Sequence, residues 1–334
     1  MNYVILTAAE YTAPVAPDSA QALLPVEQSS FGKDLWKVVS SAVGALEPDI
    51  ASGALLCLSL FAAVMLISLL KAMPGKGSGA AELAGVLAVA GILLRQTGTM
   101  VEQAATTVTE LSEYGKLLLP VMTAALAAQG GITSSAALYA GTAVFDAVLS
   151  GAVAKLLIPL VYIFLTVSTA ASATGEKMLE ALRDFVKWLV TWCLKTVMYI
   201  FTGYMGITGV VSGTADAAAL KVTKLTVSGM VPVVGGILSD ASEAVLVGAG
   251  VMKSAVGVYG MLALIAVWIT PFLRIGALYL MLKLTAALCE IFDVKAVNGL
   301  IQAFSTAMGF LLAMTGAVCV MLLISTVCFM KGVA

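Results

Sequence analysis

Side chains that commonly do chemistry in proteins are scarce in this chain of 334 residues. Histidine, the usual proton-transfer group near neutral pH and the commonest metal ligand, does not occur in the sequence. The five cysteines form no CxxC pair, which favours buried hydrophobic side chains over a metal or redox site. Walker, HExxH and strand-associated GxGxxG motifs do not occur either. The sequence therefore predicts a protein that is not an enzyme and that has no catalytic residue, metal site or cofactor.

Charged residues within or beside the apolar segments are the remaining candidates. They are Asp146, Lys155, Lys195, Arg274, Lys283 and Glu290. A charge at the centre of a membrane helix costs about 2.5–3.5 kcal/mol on insertion scales, so it lines a polar passage or reaches the headgroups. Asp146 is the best functional candidate because its short side chain cannot reach far, and its pairing with a basic residue inside the bundle is left open. Lys155 is excluded as that partner, since nine residues of straight helix place it on the opposite face.

A proline and a glycine pair interrupt the last third of the chain, in the sequence Val231-Pro-Val-Val-Gly-Gly-Ile-Leu-Ser-Asp240. Freed backbone groups are costly in hydrocarbon, so such a break is tolerated only where protein or a water-filled cavity satisfies them. We predict a broken or re-entrant element whose candidate passage residues are Pro232, Val233, Val234, Gly235, Gly236, Ser239 and Asp240. Gly130 and Gly131, which lie between two short apolar segments, are a second candidate break.

The composition decides the class of the protein. Hydrophobic residues make up 60% of the chain and charged residues 11%, where a soluble domain has about 25% charged. The mean hydropathy is +1.03. We therefore predict an all-α, polytopic helical membrane protein with about 7–9 spans, since a span needs roughly 20 apolar residues. The candidate spans are 51–70, 80–96, 117–130, 134–153, 155–173, 188–211, 256–273, 275–292 and 304–330. The third and fourth are short, so two crossings and a re-entrant pair both remain open.

Residues 1–50 differ from the membrane domain at 51–334. They carry six acidic residues against two lysines, and no basic region precedes a clean apolar run as in a standard signal peptide. An amphipathic helix is predicted at 31–46, with Phe31, Leu35, Val38, Ala42 and Leu46 on one stripe, at the membrane interface or against a partner protein. Val101–Leu111 and Met178–Leu189 have similar stripes and are expected to lie in the interface plane.

The loop charges suggest an orientation. Basic residues follow the first span (Lys71, Lys76) and the fifth (Lys177, Arg183, Lys187), and Lys331 lies near the C-terminus. The positive-inside rule then places the N-terminus outside the cytoplasm and the C-terminus inside it, although Lys155, Lys221 and Lys224 do not fit. The net charge of −1 gives no field that would attract nucleic acid.

Three segments carry a family resemblance. The most specific is Lys221–Gly257, which contains Pro232-Val-Val-Gly235 and Ser239-Asp240-Ala241. The others are the apolar Leu117–Thr133 and the amphipathic Gly175–Lys187. Together with the apolar C-terminal third, they resemble the stage III sporulation protein AE family from about Phe31 onward. Members of that family usually begin with a signal peptide, which is a difference.

The resemblance implies an integral protein of the mother-cell membrane around the forespore. It also implies partners: stage III sporulation proteins AA to AH, stage II sporulation protein Q from the forespore, and the lipid bilayer, with a homo-oligomer left open. The AA protein is a secretion-type ATPase, so this subunit is expected to supply a membrane platform or passage and no catalysis. Its expected role is in the channel that late forespore gene expression and spore formation need.

Two other classes of protein fit parts of the pattern. A free-standing secondary transporter would share the broken helices and would keep a polar coupling site near the midplane, for which Asp146 is the candidate. The membrane hub of a conjugation or type IV secretion machine would have a similar composition. Neighbouring genes and co-purification from sporulating cells would separate these classes.

We predict that Pro232–Asp240 is buried against other spans. In a chain without native cysteines, single cysteines from 232 to 240 should react slowly or unevenly with a membrane-impermeant thiol reagent, because packed backbone excludes it. Lys33→Cys on the amphipathic helix is the reactive control. Rapid and uniform labelling across 232–240 would show a surface loop instead.

Overall fold

The computed structural model of the chain describes residues 3–5, 12–24, 31–72, 78–128, 132–207, 255–292 and 294–332. Two short strands, β1 (Tyr3–Ile5) and β2 (Thr12–Pro14), pair antiparallel and precede helix α1 (Asp18–Gln21). The longer helices are α2 (Phe31–Gly44), α3 (Glu47–Ala72), α4 (Ser78–Ala128), α5 (Ile132–Ala152), α6 (Ile158–Thr174), α7 (Lys177–Ile207), α8 (Ala255–Cys289) and α9 (Lys295–Gly332). A π-helical turn (Val153–Leu157) joins α5 to α6, and a 3-10 turn (Glu290–Phe292) follows α8.

Helix α9 is the centre of the bundle. Between Ala303 and Met330 its side chains are buried except for the half-buried Thr306 and Ile324. A helix that is hydrophobic all round is expected in the interior of a protein or in lipid. Here α4, α5, α6, α7 and α8 all pack against it. The surrounding protein, and not lipid, therefore covers most of the surface of α9.

Close backbone approach holds α4, α8 and α9 together. The α8–α9 pair is antiparallel, since Gly257 faces Met330 near one end and Gly309 faces Tyr279 further along. A Cβ atom added at Gly115 of α4 would lie 2.8 Å from the side chain of Leu322, and one added at Gly260 would lie 2.8 Å from that of Leu118. Small residues let membrane helices approach closely, so these glycines set the spacing of the three helices.

The N-terminal segment and α3 cover different halves of α8. The first half packs against α1, α2 and β2, and Tyr259 forms a hydrogen bond with the backbone of Ala16. The stripe on α2 therefore lies against protein. The second half of α8 packs beside α3, where the rings of Phe61 and Phe292 lie 5.3 Å apart. The described part of the N-terminal segment is thus docked onto the membrane domain.

Helices α5 and α6 form one arm of a long hairpin and α7 forms the other, and both arms pack against α9. Gly175 ends α6 with φ 68°, a left-handed conformation that glycine adopts without strain, and its N–H donates to the carbonyl of Ala171. Helix α7 then returns along α6 and α5. Phe164 packs on Phe310 of α9 at 5.3 Å, and Phe145 packs on Phe201 of α7 at 5.5 Å.

The predicted all-α polytopic class is confirmed. Within the described ranges, six helical runs are long and apolar enough to cross a membrane: Glu47–Lys71, Glu82–Ala124, Leu138–Thr174, Lys177–Tyr204, Val256–Phe292 and Lys295–Met330.

The division into elements differs from the one predicted. Residues 80–96, Val101–Leu111 and most of 117–130 all belong to α4, and 134–153 continues into 155–173 through the π-helical turn. Likewise 256–273 and 275–292 are joined in α8 and its 3-10 turn, and Met178–Leu189 is the first part of α7.

The predicted spans join into longer helices because the charged residues and prolines at which we ended them do not break a helix. Charged residues interrupt hydropathy but make the same backbone hydrogen bonds as apolar ones. Pro120 in α4 and Pro271 in α8 each remove one hydrogen bond, which packed neighbours tolerate in a membrane helix. The two stretches expected in the interface plane are therefore sections of longer helices.

Several helices are longer than the bilayer requires. With a rise of 1.5 Å per residue, the 38 residues of α9 extend about 57 Å and the 51 residues of α4 about 77 Å. The hydrocarbon core is only about 30 Å thick. These helices must tilt strongly, extend beyond the hydrocarbon, or do both.

We predict that Gly260→Leu destabilises the bundle, because the new side chain would occupy the place of Leu118. Overpacking of this kind usually costs about 1–3 kcal/mol of unfolding free energy. Thermal unfolding of the detergent-solubilised chain measures it. Gly91→Leu is the matched control, since a Cβ there meets nothing within 4 Å, and it should be neutral. Equal losses for both variants would contradict the proposed close contact.

Candidate functional site

Asp146 faces the interior of the bundle from α5, with 2% of its surface exposed. Its Oδ2 accepts a hydrogen bond of 2.7 Å from the hydroxyl of Ser112 on α4, which is also buried. Its Oδ1 is buried and has no hydrogen-bond partner among the residues that the structure describes. A single neutral donor therefore holds this carboxyl group between two long, largely apolar helices.

A second hydroxyl contact lies one turn away on α5. The hydroxyl of Thr142 donates to the hydroxyl of Ser325 on α9 at 3.2 Å, and Ser325 donates to the carbonyl of Met321 at 2.9 Å. Both side chains are fully buried. We call Ser112, Thr142, Asp146 and Ser325 the polar seam. It links α4, α5 and α9 by side-chain hydrogen bonds, which act between membrane helices as local attachments.

The partner of Asp146 in the described chain is a hydroxyl group. No ammonium or guanidinium there lies within ion-pair distance of it, although Lys116 on α4 interacts with it favourably through space. Lys155 is exposed in the π-helical turn, away from the buried carboxyl. The pairing with a basic residue inside the bundle, which the sequence left open, is not made among the described residues and stays a prediction.

A polar surface lies on α4 beside the seam. We call Glu102, Thr106, Thr109, Glu113 and Lys116 the α4 polar face, because all five are exposed while the opposite side of this stretch is buried against the bundle. Exposed carboxylates and ammonium groups are costly in hydrocarbon, so this face requires water, headgroups or a polar protein surface. Ser112 lies on the flank of this face, since consecutive residues of a helix point about 100° apart.

The N-terminal segment reaches the edge of the α4 polar face. The hydroxyl of Ser19, just before the end of α1, donates to the carboxylate of Glu110 at 2.6 Å. The acidic N-terminal segment and the acidic part of α4 therefore lie on the same side of the bundle.

The other charged candidates lie in separate places. Arg274 Nε lies 2.8 Å from Asp49 Oδ2, an ion pair at the start of α3 in which the N–H does not point at the oxygen. The candidate spans 256–273 and 275–292 were divided at Arg274, but α8 continues through this position. Lys283 lies 5.7 Å from the ring centre of Tyr279, Glu290 begins the 3-10 turn, and Lys195 is exposed on α7.

The predicted passage residues are not among these contacts. Pro232, Val233, Val234, Gly235, Gly236, Ser239 and Asp240, and the second break at Gly130 and Gly131, lie outside the described residues. Their roles remain predictions. The five cysteines are free thiols, with Cys289, Cys319 and Cys328 buried.

Sequence reasoning identified Asp146 but not its neighbours. Thr142, Asp146 and Ser150 recur every four residues, which places them on one side of α5. That signal is weak, because hydroxyl residues in membrane helices commonly bond to their own backbone, as Ser150 does to the carbonyl of Asp146. Ser112 and Ser325 are brought to this side only by the packing of α4 and α9.

We predict that Ser112→Ala destabilises the chain by about 1–3 kcal/mol, because it leaves the buried carboxyl without a donor. Ser150→Ala removes a hydroxyl that bonds within α5, and it should cost much less. Chemical or thermal unfolding of both variants in detergent measures the difference. Indistinguishable stabilities would mean that the hydrogen bond between α4 and α5 contributes little.

Comparison with known proteins identifies the family. The sequence pattern described as stage III sporulation protein AE matches residues 24–332. A protein of Bacillus subtilis (strain 168), named stage III sporulation protein AE, is 25% identical over 174 residues, which are 52% of this chain and 43% of that relative. The aligned part is thus less than half of the relative's length. No solved structure matches the chain. Because the family pattern extends from the end of the N-terminal segment to the end of α9, the chain belongs to the stage III sporulation protein AE family.

Proposed function

We propose that this protein is a non-enzymatic membrane subunit of the sporulation channel that links mother cell and forespore. The single observation that carries the proposal is the family match over residues 24–332, on a chain with six membrane-length helical runs. The family name makes it a sporulation-related membrane protein. The channel role is the further step that we propose.

The α4 polar face supports a role in a passage. A helix that is polar on its outer side and packed into an apolar bundle on the other fits a subunit that contacts water at membrane depth. Such a surface would line a shared passage once several subunits assemble, whereas the apolar outer sides of α3 and α7 would face lipid. The predicted break at Pro232–Asp240 would contribute irregular backbone to the same passage.

The proposed partners are stage III sporulation proteins AA to AH and stage II sporulation protein Q. The proposed location is the mother-cell membrane around the forespore, with the N-terminus outside the cytoplasm. The contact of Ser19 with Glu110 puts two acidic regions on one side, as the positive-inside rule favours for the outside of the cytoplasm. The end of α9 lies at that same end of the bundle, because Gly257 contacts Met330 and the nearby Tyr259 bonds to Ala16. These contacts support the orientation of the N-terminus and speak against a C-terminus on the opposite side.

A secondary transporter is the second candidate function. The buried, incompletely hydrogen-bonded Asp146 favours it, since ion-coupling sites in transporters are built from such groups. The two functions differ in what they need: a transporter works without the sporulation partners, whereas a channel subunit does not.

We predict that tagged protein from sporulating cells co-purifies with the proposed partners, and that its deletion abolishes heat-resistant spores.

Thr106→Trp and Thr109→Trp on the α4 polar face should lower spore counts by at least an order of magnitude while the protein stays in the membrane, because the bulky rings obstruct the passage. Thr166→Trp is the matched control, as it is an exposed threonine of α6 that bonds to its own helix in the same way.

Normal sporulation of the deletion strain would refute the functional proposal. Normal sporulation of the α4 variants alone would refute only the role of the α4 polar face. Isolation without the partners, together with ion transport by the purified chain, would favour the transporter.

A further inference from the structure

The carboxyl group of Asp146 has fewer hydrogen-bond donors than an ionised group needs. A carboxylate offers about four lone-pair sites. The described residues supply one donor, the Ser112 hydroxyl, and leave Oδ1 buried with none. An ionised group in this position would combine the cost of a charge inside the bundle with an unsatisfied oxygen.

The neighbouring helices supply no ion pair that would offset this cost. On α4, Lys116 interacts with Asp146 through space, and its ammonium is exposed, so solvent screens it. On α9 no Asp, Glu, Lys or Arg occurs between Lys295 and Lys331. The packed helices carry further titratable groups. They are Glu82, Arg95, Glu102, Glu110, Glu113 and Tyr114 on α4, Lys295, Cys319, Cys328 and Lys331 on α9, and Lys177, Glu180, Arg183, Asp184, Lys187, Cys193, Lys195, Tyr199 and Tyr204 on α7.

We propose that Asp146 is a proton-binding site, whose carboxyl carries a proton on Oδ1 while the seam is closed. In this form Oδ2 is a carbonyl oxygen and still accepts the hydrogen bond of Ser112. Protonation removes the buried charge and needs no cavity. When water reaches the group, the O–H bond breaks heterolytically, its electron pair stays on Oδ1 and the proton passes to water.

The contact between α4 and α5 is the place at which water would reach the carboxyl group. Ser112 is hydrogen-bonded to the carboxyl, and the next residue, Glu113, is exposed on the α4 polar face. Because this bond crosses from α4 to α5, a separation of the two helices would break it and admit water to Asp146.

A proton fits the site better than a metal cation. A metal cation would need several oxygen ligands that converge on the carboxylate. In the seam, however, the Thr142 and Ser325 hydroxyls are bonded to each other, and Ser325 is also bonded to its own backbone. Within the described residues, no group of three His, Cys, Asp or Glu side chains could hold a metal ion.

Infrared spectroscopy of the purified full chain in lipid nanodiscs tests the proposal. At neutral pH we expect the carbonyl band of a protonated carboxylic acid, which Asp146→Asn removes and alkaline titration abolishes. Glu113→Gln, which neutralises an exposed carboxylate nearby, should leave the band unchanged. Ser112→Ala should shift it to higher frequency, because the carbonyl oxygen loses its donor.

The possible outcomes separate the alternatives. A wild-type spectrum at neutral pH without an acid band overturns the proposal, as does a band that survives Asp146→Asn unchanged. Loss of the band when sodium is added at constant pH would replace the proton by a metal cation as the ligand. If Asp146→Asn fails to fold, the shift caused by Ser112→Ala decides the assignment. The measurement uses the isolated chain, so its result is independent of the proposed channel role.

Discussion

The burial of α9 between glycine-spaced neighbours is the constraint on which the other features depend. Lipid offers no hydrophobic force between helices, so helices associate through close packing and local hydrogen bonds. Gly115, Gly257 and Gly260 allow α4 and α8 to approach each other and α9 to within side-chain contact. Once these three helices are fixed, α3 and the N-terminal segment pack on α8 and α4. The α5–α7 hairpin takes the remaining side of α9.

The length of the central helices has a consequence for the surface. A core of about 57 Å is longer than the hydrocarbon layer, so part of the bundle meets water or headgroups unless the helices tilt steeply. The α4 polar face and the docked N-terminal segment are what such a region requires, because both present charged and hydroxyl groups outward. The exposed leucines of α3 and the stacked Trp188 and Trp192 of α7 present the opposite chemistry elsewhere on the molecule. The protein therefore has two kinds of outer surface, as expected of a subunit that contacts both lipid and an aqueous space.

The polar seam is subject to both constraints, the close packing of the helices and the need of polar groups for partners. Polar groups inside a membrane bundle must find partners within protein, and Thr142 and Ser325 do so across α5 and α9. Asp146 does so only in part, since one oxygen is bonded and the other is not. A buried carboxyl whose one donor is on α4 is sensitive to movements of α4, because hydration changes its preferred charge state. This sensitivity distinguishes the seam from the hydroxyl groups that merely bond to their own helices.

Composition alone determined the class of the protein, because a chain this apolar can be stable only with lipid as part of its solvent, and helices then satisfy their own backbone. The sequence also identified Asp146, since a short acidic side chain in an apolar run is costly wherever the helix packs. The element boundaries depended on tertiary structure: charges at Glu102 and Glu110 and the ring of Pro271 interrupt hydropathy, but packed neighbours carry the helix through them. Tertiary structure alone joined Ser112 and Ser325 to α5, because residues far apart in sequence become neighbours only through the crossing of α4 and α9. The side of each helix that contacts water was likewise decided by packing, since an amphipathic stripe specifies a buried side but not what buries it.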